Sequence, residues 1–469
     1  MRKRVNQIHF IGIGGVGMSG IAEVLISEGY QVSGSDQRAG ENTERLLSLG
    51  AQVVIGHDSA LISQVDVVVT STAIGADNPE LMAARQAQIP VVPRAEMLAE
   101  LMRLRSGIAV AGTHGKTTTT SLVASLLAEQ GMDPTFVIGG QLNAAGSNAR
   151  FGQGEYLVAE ADESDASFLH LSPQIAVVTN VDQDHMETYG GDRDELDRVF
   201  IEFIHRLPFY GLAVLCADDP GIQRIESRLQ KPTISYGIDS AADYQARDIR
   251  FVGTRSYFVV DRPNEQDWLQ IELNMPGRHN VLNALAAIAV ADEVGVSADA
   301  IIQGLKKFGG IGRRFEQRGQ IQLGDSLCVL VDDYGHHPRE IAVTLEAARN
   351  AWPDKRLLVV FQPHRYSRTR DLFDDFCAEL AAADMLVLLD VYPAGETLIS
   401  GADGASLAKA IRQRGQLDPV YLPGKVDLSE SLAPLVQDGD LVLTLGAGSI
   451  GAMVTELANG SKVIKRGQR

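Results

Sequence analysis

Gly107-Ile108-Ala109-Val110-Ala111-Gly112-Thr113-His114-Gly115-Lys116-Thr117-Thr118 is the stretch that decides the fold. An apolar run of strand length ends in a glycine turn, and the helical pattern Ser121-Leu122-Val123-Ala124-Ser125-Leu126-Leu127 follows at once. Strand, glycine turn, lysine and helix in this order predict a phosphate-binding loop. Its backbone N–H groups and helix N-terminus cradle anionic oxygens, Lys116 reaches the β- and γ-phosphates, and Thr117 reaches a magnesium ion. Gly112, Thr113, His114, Gly115, Lys116, Thr117 and Thr118 are therefore candidate ATP-binding residues. The usual pattern G-x-x-x-x-G-K-[ST] asks for glycine where this chain has Val110, so the loop keeps only the later elements; a plain glycine turn before a helix is the alternative.

On the N-terminal side, a strand over 7–13 runs into Gly12, Gly14, Gly15 and Gly17, then a helix over 18–27 closed by Gly29 and a strand over 31–35 ending at Asp36. A glycine fingerprint with an acid about 20 positions later predicts a dinucleotide-binding unit, the pyrophosphate on the helix N-terminus and the Asp36 carboxylate on a ribose hydroxyl. Strands over 51–55 and 65–70 extend a small parallel sheet that ends near Arg105. On the C-terminal side, strands are expected over 156–159, 175–180 and 212–215, a β-rich stretch over 244–272 and a helix over 281–291. Gly309-Gly310-Ile311-Gly312 reads as a hinge, since three glycines in four residues suit neither helix nor strand. Beyond it, strands over 327–332, 356–361, 385–389 and 440–445 repeat the β/α alternation. The expected fold is α/β in three domains: Rossmann-like over 1–105, a central phosphate-loop ATPase over 106–311, and Rossmann-like over 312–469.

The bulk properties agree with a globular enzyme. A chain of 469 residues, 45% hydrophobic and 22% charged, is long enough for about three domains, with disorder expected only from Gly460 onward. A net charge of −18 argues against a nucleic-acid partner, which would need a basic face. Cys216, Cys328 and Cys377 lie far apart with no paired spacing, as in a reducing cytosol, and read as buried filler. The basic Met1-Arg2-Lys3-Arg4 precedes an apolar stretch, but glycines interrupt it and no run of about 18 apolar residues occurs, so no membrane insertion and a cytoplasmic location are expected.

Polar clusters fall at predicted strand ends, where open parallel sheets bind ligands. Glu160, in Val158-Ala159-Glu160-Ala161-Asp162-Glu163-Ser164-Asp165, is a candidate magnesium ligand, because magnesium takes carboxylate, water and phosphate oxygens. His185, in Asp182-Gln183-Asp184-His185, is a candidate for a second metal; a solvated acidic loop is the plainer alternative. His279, Asn280 and Asn283 open a helix with edges able to bond an adenine, although helix capping by Asn280 explains the pattern equally well. Arg313 and Arg314 follow the hinge and would reach phosphates if the third domain closed, unless they merely solvate a linker. Arg365 and Arg368, three apart at a helix start, suit bidentate recognition of carboxylate or phosphate, with surface pairs to Asp371 or Asp374 as the alternative.

In this order, the motifs resemble the Mur ligase family of peptidoglycan synthesis over essentially the whole chain. They are Ile11-Gly12-Ile13-Gly14-Gly15-Val16-Gly17, the loop from Gly112 to Thr118, Glu160 to Asp165, Thr179-Asn180 through His185, His279-Asn280, Arg313-Arg314-Phe315, Asp332-Asp333-Tyr334-Gly335-His336-His337-Pro338 and Gln362-Pro363-His364-Arg365-Tyr366. The resemblance is to the branch that joins L-alanine to UDP-N-acetylmuramate. It implies that Gly14, Gly15 and Gly17 serve a UDP pyrophosphate, and that the lactyl carboxylate attacks the γ-phosphate of ATP to give an acyl phosphate, which the alanine amine then attacks. Lys116 and Thr117 would hold phosphate and magnesium, Glu160 and His185 metals, Asn280 and Asn283 the adenine, and Arg314 the phosphates. Tyr334, His336, His364, Arg365 and Arg368 would line the alanine and acyl-phosphate site. Branches that add later amino acids carry a carbamylated lysine at the second magnesium; no lysine occurs here between Lys116 and Lys231, as in the alanine-adding branch. A murein peptide ligase, an NAD-dependent dehydrogenase and a nucleotide-sugar sensor are the competing readings, and monomer and homodimer both stay open.

Overall fold

The computed structural model of the chain describes residues 4–71, 73–103, 105–142 and 147–460, and within 140–148 the backbone alone. Three sheets follow one another along the sequence. The tail beyond Gly460 and Met1-Arg2-Lys3 lie outside the described residues.

The first sheet contains β1 (Gln7–Ile11), β2 (Gln31–Asp36), β3 (Gln52–Ile55), β4 (Val67–Thr70) and β5 (Val91–Pro93). Its helices are α1 (Val16–Ser27), α2 (Glu41–Ser48), α3 (Pro79–Gln86) and α4 (Arg94–Met102). All neighbours are parallel, in the order β3-β2-β1-β4-β5. The turn after β1 therefore lies between strands reached in opposite directions, which is where a doubly wound sheet opens its crevice.

The second sheet has ten strands. β6 (Ser106–Ala111), β7 (Thr135–Leu142), β8 (Ser147–Arg150), β9 (Tyr156–Glu160) and β10 (Ile175–Val178) come first. β11 (Leu212–Cys216), β12 (Thr233–Gly237), β13 (Tyr244–Val252), β14 (Arg255–Arg262) and β15 (Glu265–Leu273) follow. The helices are α5 (Lys116–Glu129), α6 (Arg193–His205), α7 (Pro220–Glu226), α8 (Arg278–Glu293) and α9 (Ala298–Lys307). The order β15-β14-β13-β12-β11-β10-β6-β9-β7-β8 places β6 between β10 and β9. Both pair with it in parallel, Ala111 opposite Val178 and Val110 opposite Glu160. The loops leaving β9 and β10 consequently flank the loop leaving β6.

The third sheet is mixed. β16 (Glu316–Leu323) pairs antiparallel with β17 (Ser326–Asp333); β18 (Leu357–Phe361), β19 (Met385–Leu389), β20 (Val420–Leu422) and β21 (Leu441–Leu445) complete the order β16-β17-β21-β18-β19-β20. Its helices are α10 (Pro338–Ala351), α11 (Tyr366–Asp371), α12 (Phe373–Leu380), α13 (Gly404–Gln413), α14 (Leu428–Leu432) and α15 (Ile450–Gly460). Strand side chains alternate between faces. Leu357, Val359, Phe361, Leu441, Leu443 and Leu445 accordingly pack with Ile341, Phe376 and Leu407, while Leu358, Val360 and Val442 pack with Leu432, Ile450 and Val454. Burial on both faces is why these strands read as unbroken apolar runs.

The chain divides into two compact units: Met1–Ile249, Phe258–Glu272 and Val281–Gly309 form one, and Arg250–Tyr257, Leu273–Asn280 and Gly310–Arg469 the other. All three cysteines are free and buried. Among the described residues, no helix is long and apolar enough to cross a membrane.

Candidate functional site

The phosphate loop is fixed from both sides. Gly112 has φ +127° and Gly115, the residue before α5, φ +84°. A Cβ on Gly112 would lie 2.1 Å from Thr179 Oγ1 and 3.0 Å from the Asn180 amide nitrogen, so no larger residue fits the turn. The loop after β10 staples it: Thr113 N–H donates to the Asn180 carbonyl (3.2 Å), His114 N–H to Asn180 Oδ1 (2.8 Å), and Thr179 Oγ1 to the His114 carbonyl (2.6 Å). Asn283 accepts from Thr119 at 3.2 Å, and a Cβ on Gly115 would meet its Oδ1 at 2.5 Å, so this asparagine lies against the base of the loop. Thr117 and Thr118 are buried in the first turn of α5.

Lys116 donates to the carbonyls of Gly112 (2.6 Å) and Thr113 (3.1 Å) and to Glu163 (2.8 Å). Burial pulls its pKa down, but the charge and hydrogen bond of Glu163, with Asp162 and Glu160 behind, outweigh burial and leave it raised. Glu163 is pushed up to about 7, first by burial and then by the Asp162 charge, against the pull of Lys116. The lysine is thus a fixed cation and the glutamate a carboxyl that titrates near neutrality. The sequence alone missed this pair; an acidic run downstream of a phosphate-loop lysine was the available signal.

Glu160, at the end of β9, accepts from the Gly139 N–H at 2.7 Å. His185 stands at φ +54° in the loop after β10, with Nε2 3.6 Å from Asp184. The Thr117 hydroxyl, at the head of α5, and the Glu160 carboxylate, in register beside Val110, flank the loop with hard oxygen donors. That donor chemistry fits magnesium; the imidazole of His185 is a softer ligand.

In the first sheet, Gly15 caps α1, and Asp36 Oδ2 accepts the Gly14 N–H at 2.9 Å. Asp36, expected on a ribose hydroxyl, thus also braces the glycine turn. A cleft of about 650 Å³ runs past Gly12, Gly14, Gly15, Asp36, Asn42 and His57. Gly17 lies beneath Arg94, whose Nη1 would be 2.7 Å from a Cβ there.

The second unit assembles its own cluster at the carboxyl ends of β17, β18 and β19. The rings of Tyr334 and His336 lie 5.4 Å apart, those of His336 and His364 5.6 Å, and those of His364 and Tyr392 5.5 Å, the last pair stacked at 14°. Arg368, buried, places Nη1 3.5 Å from His364 Nδ1. Burial, then the neighbouring His336, Arg368 and Arg365, pull His364 down to about 3, so its imidazole is neutral at physiological pH. Tyr392 was not singled out from sequence, because it belongs to a separate loop. Arg365, at φ +69°, immediately precedes α11, and the surface pairs considered for these arginines are made by others: Asp371 bonds Arg370, and Asp374 bonds Arg414.

Arg313 and Arg314 share the Tyr334 ring, over which their guanidiniums lie at 5.2 and 4.9 Å. Arg313 also donates to Asp332 (3.0 Å) and to the Gly446 carbonyl (2.5 Å), anchoring the start of the third domain. Asp333 receives the Phe315 and Gly335 N–H groups, each at 2.7 Å, and burial raises it to about 6. Asn280 donates to the Pro276 carbonyl at 2.7 Å, a bond at the mouth of α8, and burial lowers the adjacent His279 to about 4.

A strand-borne phosphate loop braced by acidic loops, on a chain that also carries two further sheets of parallel β/α build, defines a modular nucleotide-dependent α/β enzyme. The chain belongs to the Mur ligase family, matching the Mur ligase family catalytic domain over residues 7–106, the Mur ligase middle domain over 110–291 and the Mur ligase glutamate ligase domain over 313–448. It is 59% identical to the UDP-N-acetylmuramate–L-alanine ligase of Methylococcus capsulatus over 456 residues, 97% of this chain and 96% of that protein. Its structure is similar to the UDP-N-acetylmuramate–alanine ligase of Thermotoga maritima (TM-score 0.81, 28% identity, covering 97% of this chain and 98% of the other). It is also similar to a murein peptide ligase of Psychrobacter arcticus (TM-score 0.71, 25% identity, covering 98% and 100%).

Proposed function

We infer that the chain is an ATP-dependent ligase that joins L-alanine to the lactyl carboxylate of UDP-N-acetylmuramate in peptidoglycan precursor synthesis, releasing ADP and phosphate. One observation carries this reading: identity of 59% to an L-alanine ligase across 97% of the chain. We assign the sugar nucleotide to 1–105, ATP to 106–311 and the amino acid to 312–469, in a cytoplasmic monomer or homodimer.

A lactyl carboxylate oxygen attacks the γ-phosphorus, the bond to ADP breaks, and an acyl phosphate forms. The alanine amine then attacks the acyl carbon, loses a proton and expels phosphate, leaving the amide. A carboxylate approaching a polyanion is repelled, and Lys116, a fixed cation, offsets this on the phosphate oxygens. Thr117 and Glu160, with His185 as a further ligand, would hold magnesium, which neutralises phosphate charge when bound. Asn280 and Asn283 would bind the adenine, and Arg314 the phosphates. In the second unit, Arg365 and Arg368 suit a carboxylate, and the neutral His364 can accept a hydrogen bond from an amine; with Tyr334 and His336 they form our candidate alanine and acyl-phosphate site.

The test is ADP release with magnesium, ATP and UDP-N-acetylmuramate, comparing L-alanine, the L-Ala-D-Glu-meso-diaminopimelate tripeptide and no acceptor. Alanine-dependent release is expected. Release that needs the tripeptide would transfer the chain to the murein peptide ligase reading, and silence with both would overturn either ligase assignment.

A further inference from the structure

Beside the phosphate loop lies a buried carboxylate that the reaction above does not use. Glu163, in the loop after β9, is 3% exposed and places both carboxylate oxygens 2.8 Å from Lys116 Nζ. The Gly112 carbonyl at 2.6 Å and the Thr113 carbonyl at 3.1 Å complete the surroundings of that nitrogen. An ammonium has three N–H donors, and these three partners use them all. A phosphate oxygen that Lys116 is to hold must therefore displace one of them.

The three partners are not equally easy to displace. Both carbonyls belong to the loop itself, whose path is fixed by Gly112 at φ +127° and by the bonds to Thr179 and Asn180. Stripped of its donor, a carbonyl held in that turn stays unsatisfied. Glu163 has another course. A carboxylate that loses its cation can take a proton, which removes both its buried charge and its repulsion of the incoming phosphate.

Resting on the ligase reading, we propose that Glu163 is the positioning residue of Lys116, which holds the ammonium at the phosphate loop and gives it up to an ATP phosphate oxygen, taking one proton from solvent as the lysine leaves. The lysine stays an ammonium throughout; one of its hydrogen bonds changes acceptor, and the proton ends on the Glu163 carboxyl. The groups around Glu163 favour this exchange. Glu160, Asp162 and Asp165 share its acidic stretch, and Arg94 is turned to Asp162. Tyr189, from the loop after β10, donates to the Glu163 carbonyl and stays neutral, because burial and the nearby acids hold its hydroxyl well above the usual phenol value. With the lysine beside it Glu163 already stands at about 7, so loss of the lysine carries it higher.

The experiment is calorimetric titration of the full chain with Mg-ATP at pH 8, in HEPES and in Tris, whose ionisation enthalpies differ, with magnesium in cell and syringe alike. Wild type should take up about half a proton or more per ATP bound. Glu163→Gln keeps an oxygen acceptor for the lysine but has no site for the proton, so its uptake should vanish. Proton uptake ties affinity to pH: Kd for Mg-ATP should rise about fivefold or more from pH 7 to pH 9 in the wild type and stay level in Glu163→Gln, which loss of a merely structural contact would not produce. If Glu163→Gln fails to fold, infrared difference spectroscopy of the wild type decides, since Mg-ATP binding should bring up the C=O stretch of a protonated carboxyl. Binding without uptake, equal uptake in Glu163→Gln, or absence of that band overturns this inference, while alanine-dependent ADP release leaves the ligase reading standing. A wild type that neither binds Mg-ATP nor releases ADP overturns both.

Discussion

Lys116 is a cation held on two loop carbonyls and Glu163, and we propose that it offsets phosphate charge there. Lys116→Ala should lower kcat by at least ~10²-fold, as loss of one preorganised charge contact does; single-turnover ADP formation measures it, and near-normal turnover would refute the loop assignment. His364 yields a pH prediction. Its folded pKa of about 3 lies below the ordinary 6.5, so the unfolded chain binds the proton more tightly as pH falls below 6.5. Stability from keeping this ring neutral is present above pH 6.5 and is lost progressively toward pH 3. His364→Gln removes that term, so its stability relative to wild type should improve between pH 8 and pH 5. Screening of the partly exposed ring limits the gain to about 1 kcal/mol. Chemical denaturation at the two pH values checks it; a parallel offset at both would contradict the burial assigned to His364. Arg365→Ala should raise KM for L-alanine about tenfold or more, with KM for ATP little changed, through loss of a charge-assisted hydrogen bond; steady-state kinetics with each substrate varied separates the two.

At the scale of elements, the strand–turn–helix unit from β6 to α5 works because loops from β9 and β10 close on it. Gly112→Ala should disrupt it from both directions, straining a φ of +127° and driving a methyl into Thr179 and the Asn180 backbone. The strain alone is about 1–3 kcal/mol. The expected result is a lower melting temperature and loss of the stabilisation that added Mg-ATP gives; a variant that melts and responds to ATP like wild type would remove this steric account. The same unit shows what could be read from sequence. The loop was legible because strand, glycines, lysine and helix are contiguous, and β18, β19 and β21 because buried parallel strands are short apolar runs. The Lys116–Glu163 pair spans 47 residues and the His9–Glu80 pair 71, and only the strand orders bring them together. Tyr392 reached the His364 ring by the same route. Arg313 and Arg314 looked alike as neighbours and both lie over Tyr334, yet the ties of Arg313 to Asp332 and to Gly446, 133 residues on, come only from the fold. Asp36 was legible as an acid at a strand end, but its bond to Gly14 depends on the turn's backbone path.

Across the whole molecule, a chain of net charge −18 must handle polyanionic substrates through local cations and helix N-termini. Within the first unit, the sheet with the candidate sugar-nucleotide cleft and the phosphate-loop sheet are in direct contact, since α1 packs against β7. Arg94 adds a polar tie. Its guanidinium crosses Gly17 near the start of α1 and pairs with Asp162 at 3.2 Å, in the acidic loop that continues to Glu163. A cation near a helix N-terminus is disfavoured by the helix dipole, and Asp162 offsets that cost. The two side chains are 25% and 40% exposed, so water screens their attraction. A double-mutant cycle of Arg94→Ala and Asp162→Ala in urea unfolding should therefore give a coupling of only about 0.2–1 kcal/mol. The same Arg94→Ala change should raise KM for UDP-N-acetylmuramate more than KM for ATP, because the guanidinium lies against Gly17, in the first turn of the helix that the glycine turn opens. A coupling above about 3 kcal/mol would mean that the pair is desolvated and holds the two sheets together by itself. With a small coupling, the other contacts between the sheets, those of α1 with β7 and the Arg105–Glu28 pair at 3.3 Å among them, share that task, and Arg94 sets the position of the glycine turn against the acidic loop.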